Sequence, residues 1–184
     1  MNTTPERVAI FCDASSLWYH AKQYGKALKA EGTCRVDYQR LRSHLAEGRT
    51  IVEASVYVRP LPATERFCLA LEHLGYRPVH CAEPVWEVIA RDLAGLDPAT
   101  CDVVVLVTGG GGYSQAIAAL KAEGLKVEVH AFPVESTIQE TATEVDRYCD
   151  LPESVLEELG DQEDAPRVLA ANALLHEARA RGRR

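Results

Sequence analysis

The chain has 184 residues, of which 47% are hydrophobic and 26% are charged, as is usual for one soluble globular domain. Its formal net charge of −7 argues against a broad, non-specific grip on double-stranded DNA, because neutralising phosphates requires clustered lysine and arginine. No apolar run approaches the roughly 18 residues that a membrane span needs, and the first residues lack the pattern of a signal peptide. We therefore expect a cytoplasmic protein that makes no membrane contact. The net charge does not exclude a local basic groove for nucleic acid.

The six cysteines and six histidines are scattered along the chain. No cysteine pair has the CxxC spacing, and no group of cysteine and histidine has the spacing of a zinc site. We expect buried free thiols, and no histidine is singled out as a ligand.

Short apolar runs alternate with helical periodicities through the first half of the chain. Asp13 directly follows the first apolar run and precedes a helix. A carboxylate there can cap the amino end of the helix or project into a cleft as a metal ligand, and the local pattern does not decide between the two. The predicted order is a strand over 7–12, a helix to 31, a helix over 37–47, a strand over 50–58, a helix over 64–74, a strand over 76–81, and a helix or half-strand over 86–93.

The second half is organised around 103–120, where an apolar run leads through Thr108 and four glycines into a helix that stops at Gly124. The four glycines are Gly109, Gly110, Gly111 and Gly112. The run does not alternate, which predicts a strand buried on both faces of a parallel sheet. The glycines then lie at the carboxyl edge, where ligands bind in such sheets. Four further elements follow: a strand over 126–132 with one wetter face near a sheet edge, a helix over 136–145, a strand over 146–151 and a small helix over 152–159.

The composition changes after residue 160, where an acidic stretch precedes an amphipathic helix with a basic end. We expect a linker and a C-terminal helix over 161–184, behind a domain over 1–160. The helix can pack on the body of the domain or serve as a partner-binding or oligomerising element. The alternation as a whole predicts an α/β, doubly wound, mostly parallel sheet with helices on both faces.

Five motifs in order carry a resemblance to a known family. They read RVAIFCDASSLWYH, VYVRP, DVVVLVTGGGGY, KVEVHAFP and VDRYCDL. The series resembles the NYN domain, a PIN-like fold of the LabA-like group, over roughly residues 6 to 151. The resemblance implies a metal-dependent ribonuclease that gathers acidic side chains at the carboxyl edge of a parallel sheet to hold Mg²⁺ or Mn²⁺, and it also suggests dimers.

Several positions depart from the family's pattern. Ser16 stands where the first motif, commonly DGSNL, has an asparagine, although Asp13 is kept. Gly110 and Gly112 stand where the third motif, commonly SGDxDF, has two carboxylates. The middle motif, commonly KGxDV, has its nearest match in PVWEV, which gives Glu87 the acidic position, with Asp92 as another candidate. Asp146 matches the late aspartate of the family.

These departures predict a catalytically degenerate domain that binds RNA or a protein partner in a regulatory role. Hydrolysis of a phosphodiester by a metal ion needs several oxygen ligands, and two of the family's carboxylates are replaced by glycine. The first alternative is a residual Mn²⁺- or Mg²⁺-dependent ribonuclease that uses Asp13, Glu87 and Asp146.

The second alternative is phosphate or nucleotide binding at the glycine stretch, where backbone N–H groups can cradle an anion. The dinucleotide fingerprint is not met there. The candidate ligand-binding residues are Ser16, Thr108, Gly109, Gly110, Gly111 and Gly112.

Overall fold

The computed structural model describes residues 5–28, 33–61, 64–134 and 143–159. The strands are β1 (Arg7–Asp13), β2 (Thr33–Val36), β3 (Thr50–Val58), β4 (Arg77–His80), β5 (Val103–Val107), β6 (Lys126–Ala131), β7 (Arg147–Asp150) and β8 (Leu156–Leu159). The helices are α1 (Ala14–Ala27), α2 (Tyr38–Ala46), α3 (Glu65–His73), α4 (Val85–Ala94) and α5 (Ser114–Ala122).

Six strands form one parallel sheet in the order β4-β3-β1-β5-β6-β7. The central strand β5 is the apolar run of the sequence, and its five residues are completely buried. Both faces of β5 are therefore covered, as the absence of alternation predicts. The α/β fold with a mostly parallel sheet is confirmed.

The side chains of β1 alternate between two hydrophobic layers. Val8, Ile10 and Cys12 pack with α1, α2 and α3 on one face of the sheet. Ala9 and Phe11 pack with α4 and α5 on the other face. The ambiguous segment over 86–93 is thus a helix, and the predicted helices on both faces are present.

The small helix expected over 152–159 is wrong. Glu153–Val155 makes a single 3-10 turn, and Leu156–Leu159 then extends as β8. β8 pairs antiparallel with β2, a strand that the sequence reading missed, and an ion pair of 2.9 Å joins Arg35 to Glu157 across the two strands. Long-range pairing overrides local periodicity here, because four residues are too few to identify a strand from their pattern alone.

The wetter face expected for β6 is also wrong, although the strand does lie next to the edge strand β7. Glu128 is only 8% exposed and His130 is fully buried. Arg49, which follows α2, covers Glu128 with an ion pair of 3.0 Å. His44 of α2 lies edge-on to the His130 ring at 5.8 Å between centroids. A polar alternation was read as exposure, whereas a buried ion pair accounts for it.

Two predicted elements cannot be compared with the structure. The helix over 136–145 falls mostly outside the described residues, and so does the whole segment 161–184 with its helix. The boundary at residue 160 therefore remains a prediction. Within the described ranges, no helix combines the length and the apolar character needed to cross a bilayer.

Candidate functional site

The carboxyl ends of the parallel strands bring three stretches of the sequence to one edge of the sheet. Asp13 ends β1 and is in register with Tyr57 of β3. Thr108 follows β5, and its N–H bonds to the carbonyl of His130 on β6. The glycine loop, defined as residues 109–112, therefore leaves the sheet beside Asp13, as the sequence predicts for ligand-binding loops of this fold.

Asp13 caps helix α1. Its Oδ1 accepts hydrogen bonds from the backbone N–H groups of Ser15 at 2.9 Å and Ser16 at 3.0 Å. The residue has extended backbone dihedrals, as an N-cap residue should. Of the two roles left open by the sequence, the structure supplies capping. The metal-binding role stays a prediction.

Ser16 and His20 hold the start of the glycine loop against α1. The N–H of Gly109 donates to Ser16 Oγ at 2.8 Å. Ser16 Oγ lies 3.2 Å from Nδ1 of His20, so the hydroxyl group can donate to the imidazole. All three residues are buried. A Cβ atom on Gly109 would lie 2.5 Å from His20 Nδ1, and closer still to Cε1. The imidazole thus occupies the space that any side chain at position 109 would need.

The far end of the loop packs against Trp86 of α4. Gly112 has φ of +100°, a conformation that favours glycine. A Cβ atom there would lie 3.2 Å from Trp86 Cε3. Trp86 begins the segment 86–93, which the sequence leaves as a helix or half-strand, and the residue is 39% exposed. The indole therefore lies at the surface beside the loop.

Gly110 differs from the two packed glycines at the ends of the loop. An added Cβ atom would meet only Thr108 Oγ1, at 3.6 Å, which is ordinary contact. Of the two positions where the family commonly has a carboxylate, Gly110 can accept a side chain and Gly112 cannot do so without strain.

The middle carboxylates do not converge on Asp13. Glu87 is solvent-exposed in the first turn of α4, and it is its neighbour Trp86 that contacts the glycine loop. Asp92 lies five residues further along α4, where its Oδ2 accepts a hydrogen bond of 2.8 Å from the hydroxyl group of Tyr57. Tyr57 is completely buried, so Asp92 supplies the hydrogen-bond acceptor that the buried tyrosine hydroxyl group needs.

Asp146 lies at the opposite edge of the sheet. Its backbone N–H bonds to the carbonyl of Val127, and its Oδ2 accepts from the N–H of the same residue at 2.9 Å. Val127 is the second residue of β6, so this is the amino edge. Its other oxygen lies 3.2 Å from Nζ of Lys121, and the bond to Val127 is the main reason that its pKa is lowered. Asp146 therefore cannot join Asp13 on one ion in this fold.

Taken together, the tentative metal ligands Asp13, Glu87 and Asp146 are not brought to one point. No group of three or more histidine, cysteine or acidic side chains suited to a metal ion exists within the described part of the chain. The described residues therefore do not assemble the several oxygen ligands that a resident Mg²⁺ or Mn²⁺ needs.

The carboxyl ends of β1, β3 and β4 bring groups of opposite charge close together. Burial and then the charge of Asp13 raise the pKa of Cys81 to about 11, whereas Arg59 counteracts the shift. Arg59 follows β3 directly, and its guanidinium makes no ion pair with any residue in the described ranges. Burial and Asp13 also raise the pKa of Tyr113, which precedes α5. Asp13 is therefore accompanied by a cation at the same edge.

The glycine loop uses half of its N–H groups internally. The N–H of Gly109 goes to Ser16, and the N–H of Gly110 donates to Thr108 Oγ1 at 3.1 Å. Of the other two glycines, Gly111 is half-buried and Gly112 is exposed. A phosphate nest needs several converging N–H groups that face the ligand, and here only Gly111 and Gly112 are left to supply them.

The surface of the described residues also has open grooves away from the glycine loop. Two open grooves of about 580 and 550 Å³ lie elsewhere, and neither is lined by the glycine loop. The alternative therefore gains no support from this geometry. Anion binding by Gly111 and the other five candidate residues, Ser16, Thr108, Gly109, Gly110 and Gly112, stays a prediction.

The comparison with known families decides the classification. The model of the NYN domain matches residues 7–155. The chain belongs to the NYN domain family. This family has a PIN-like nuclease fold, and its members are typically nucleases that depend on divalent metal.

One solved structure gives the same fold. It is the crystal structure of a protein of unknown function from Vibrio parahaemolyticus, with a TM-score of 0.71 and 20% sequence identity. The match covers 85% of this chain and 99% of that one. Among curated proteins, none matches. At this identity the solved structure supports the fold alone.

The sequence reading missed two residues of this site. His20 follows Ser16 by four positions, which places both on one face of a helix, so the pair could have been found from spacing. Trp86 could not have been found, since helical periodicity does not distinguish a core tryptophan from one that packs against a loop distant in sequence.

Proposed function

We propose that this NYN domain binds single-stranded RNA at the carboxyl edge of its sheet without cleaving it. The observation that carries the proposal is the packing of the glycine loop. His20 fills the space beside Gly109, and Trp86 contacts Gly112 at a positive φ. At position 112 the replacement of a carboxylate by glycine is therefore built into the loop, whereas position 110 has room for a side chain.

The chemistry of the remaining residues supports binding rather than hydrolysis. An ion that activates water needs an anchoring set of oxygens, and Asp13 is engaged in capping α1. Two fewer carboxylates at positions 110 and 112 also reduce the repulsion of a phosphate at this edge. Asp13 remains at this edge, and Arg59 counteracts its effect on the neighbouring Cys81.

A local contact of this kind fits the charge of the whole chain. The net charge of −7 works against wrapping of nucleic acid around the domain. Binding must therefore depend on a few groups, and Arg59 is a cation at this edge without an ion-pair partner among the described residues. A protein partner at the same edge is the other outcome that the test must separate.

The test is the binding of a fluorescein-labelled, single-stranded RNA of about ten nucleotides, measured by anisotropy in EDTA. Arg59→Gln is compared with Lys126→Gln, which makes the same charge change at the amino edge, where Lys126 pairs with Glu6. If Arg59 contacts a phosphate, Arg59→Gln lowers the slope of log K against log salt by about 0.7, because one counterion fewer is released. Lys126→Gln leaves that slope unchanged.

Two results would overturn the proposal. One is the lack of any RNA binding at protein concentrations of about 100 µM, in the range where even non-specific complexes form. The other is an equal effect of both variants, which would mean that RNA responds to overall charge and not to this edge.

A further inference from the structure

Trp86 is the aromatic residue among the large exposed hydrophobic side chains of the described ranges. The other three are aliphatic: Leu28, Val52 and Leu69. Trp86 lies in the first turn of α4, and of these four it is the one that contacts the glycine loop. A partly exposed tryptophan beside this loop needs an explanation, since burying the whole indole would remove more apolar surface from water.

The glycine loop contacts one part of the indole. The three atoms nearest to an added Cβ at Gly112 are Cε3, Cδ2 and Cζ3, all in the six-membered ring, at 3.2 to 3.7 Å. The glycine backbone thus abuts that ring, and 39% of the side chain stays open to solvent. A ring positioned by backbone contact loses little further freedom when a ligand covers its open part.

The exchange of a carboxylate for glycine at position 112 and the position of Trp86 are physically coupled. Any side chain at 112 would push against the indole and would also be strained at φ of +100°. The glycine therefore gives the tryptophan its place. Where the family commonly has a carboxylate at position 112, this chain has a glycine beside the flat aromatic surface of Trp86.

We infer that Trp86 is a stacking platform for one nucleobase of the bound single strand. This inference rests on the proposed RNA binding and adds the residue and the type of contact. Every base has a π face, so stacking tolerates any sequence, and Arg59 then contacts the sugar–phosphate backbone. The bound strand is recognised by its bases being unpaired, because a base within a duplex cannot stack on the indole.

The experiment uses the fluorescence of Trp86 in the full chain. The protein has two tryptophans, and Trp18→Phe leaves Trp86 as the single one. Trp18 lies on α1, and the ammonium group of Lys22 lies over its ring at 4.6 Å. Phenylalanine is the suitable replacement because it keeps an aromatic ring beneath Lys22. Oligouridylate of eight nucleotides is titrated beside a sugar–phosphate oligomer of the same length and charge that lacks bases. Oligouridylate is expected to quench the emission, and the oligomer without bases is not.

Affinities of Trp86→Ala and Trp86→Phe complete the test. Loss of one stacked base by alanine substitution weakens RNA binding about five-fold to 150-fold. Trp86→Ala should show this loss for oligouridylate and no change for the oligomer without bases, and Trp86→Phe should restore much of the affinity. Circular dichroism and thermal melting verify that each variant is folded.

The outcomes separate the two proposals. RNA binding that is unaffected by Trp86→Ala, or equally weakened for both oligomers, overturns the stacking inference and leaves RNA binding intact. Absence of RNA binding in the native protein overturns both. Quenching by oligouridylate together with a base-dependent loss in Trp86→Ala supports both.

Discussion

Substitution of Gly109 by alanine tests the packing between the glycine loop and α1. The added Cβ atom would lie 2.5 Å from Nδ1 and 3.0 Å from Nε2 of His20, whereas non-bonded carbon contacts favour about 3.5–4.0 Å. His20 is 7% exposed and is joined to Ser16, so the ring cannot move away without breaking a buried polar contact. Overpacking and the strained contact should together cost about 2–3 kcal/mol in the free energy of unfolding. For a domain of this size, that lowers the melting temperature by about 4–12 °C.

Gly110→Ala is the matched control, because its Cβ atom meets only Thr108 Oγ1 at 3.6 Å. Urea unfolding of the native protein, both variants, His20→Ala and the double variant Gly109→Ala/His20→Ala completes a thermodynamic cycle. The cost of Gly109→Ala should fall by at least about 1 kcal/mol once the imidazole is removed. Equal costs for the two glycine variants, or additive effects in the double variant, would refute the reasoning.

Three further outcomes are expected. Arg49→Ala removes the nearer cation of the buried Glu128 carboxylate and leaves Arg147 at 3.7 Å, so unfolding in urea should show a loss of about 3 kcal/mol, at the lower end for a broken buried pair. A loss below about 1 kcal/mol would mean that Arg147 or water replaces the guanidinium. Burial would raise the pKa of Glu128, but His130 and Arg49 lower it from 4.5 to about 2; a lowered pKa contributes stability above 4.5, which is lost as the pH falls from 4.5 to 2. Urea titrations across that window should therefore show a steeper decline for the native protein than for Arg49→Ala, and identical slopes would contradict this assignment. Tyr57→Phe removes the hydrogen bond to Asp92 and should cost about 1 kcal/mol, as measured by thermal melting; no change in stability would show that the bond contributes nothing.

The central strand and the helix caps could be predicted from the sequence because each depends on neighbouring residues. The unbroken run 103–107 predicts a strand buried on both faces, and Asp13 and Asp37 each precede a segment with helical periodicity. Both aspartates do cap their helices with two backbone hydrogen bonds. A cap and a buried strand depend on a few neighbouring residues, so the chain itself carries the information.

The site was less accessible because it depends on contacts between distant segments. Gly109 and His20 are 89 positions apart, and nothing local to either shows that the ring fills the space beside the glycine. Asp146 matched a late aspartate of the family by motif, yet the register of β6 and β7 places it at the amino edge. Register between strands is a tertiary property, which a motif in one segment does not determine.

The absence of a metal centre is the central claim, and it is tested most directly by a cleavage assay on labelled single-stranded RNA with Mn²⁺, Mg²⁺ or EDTA. The native protein is compared with Asp13→Asn, which keeps the cap of α1 because asparagine caps helices as well as aspartate does. The account predicts that both proteins leave the RNA intact in every condition, while the native protein still binds it. Cleavage that requires metal and is abolished by Asp13→Asn would contradict the account, since the remaining carboxylates would then assemble a working metal site.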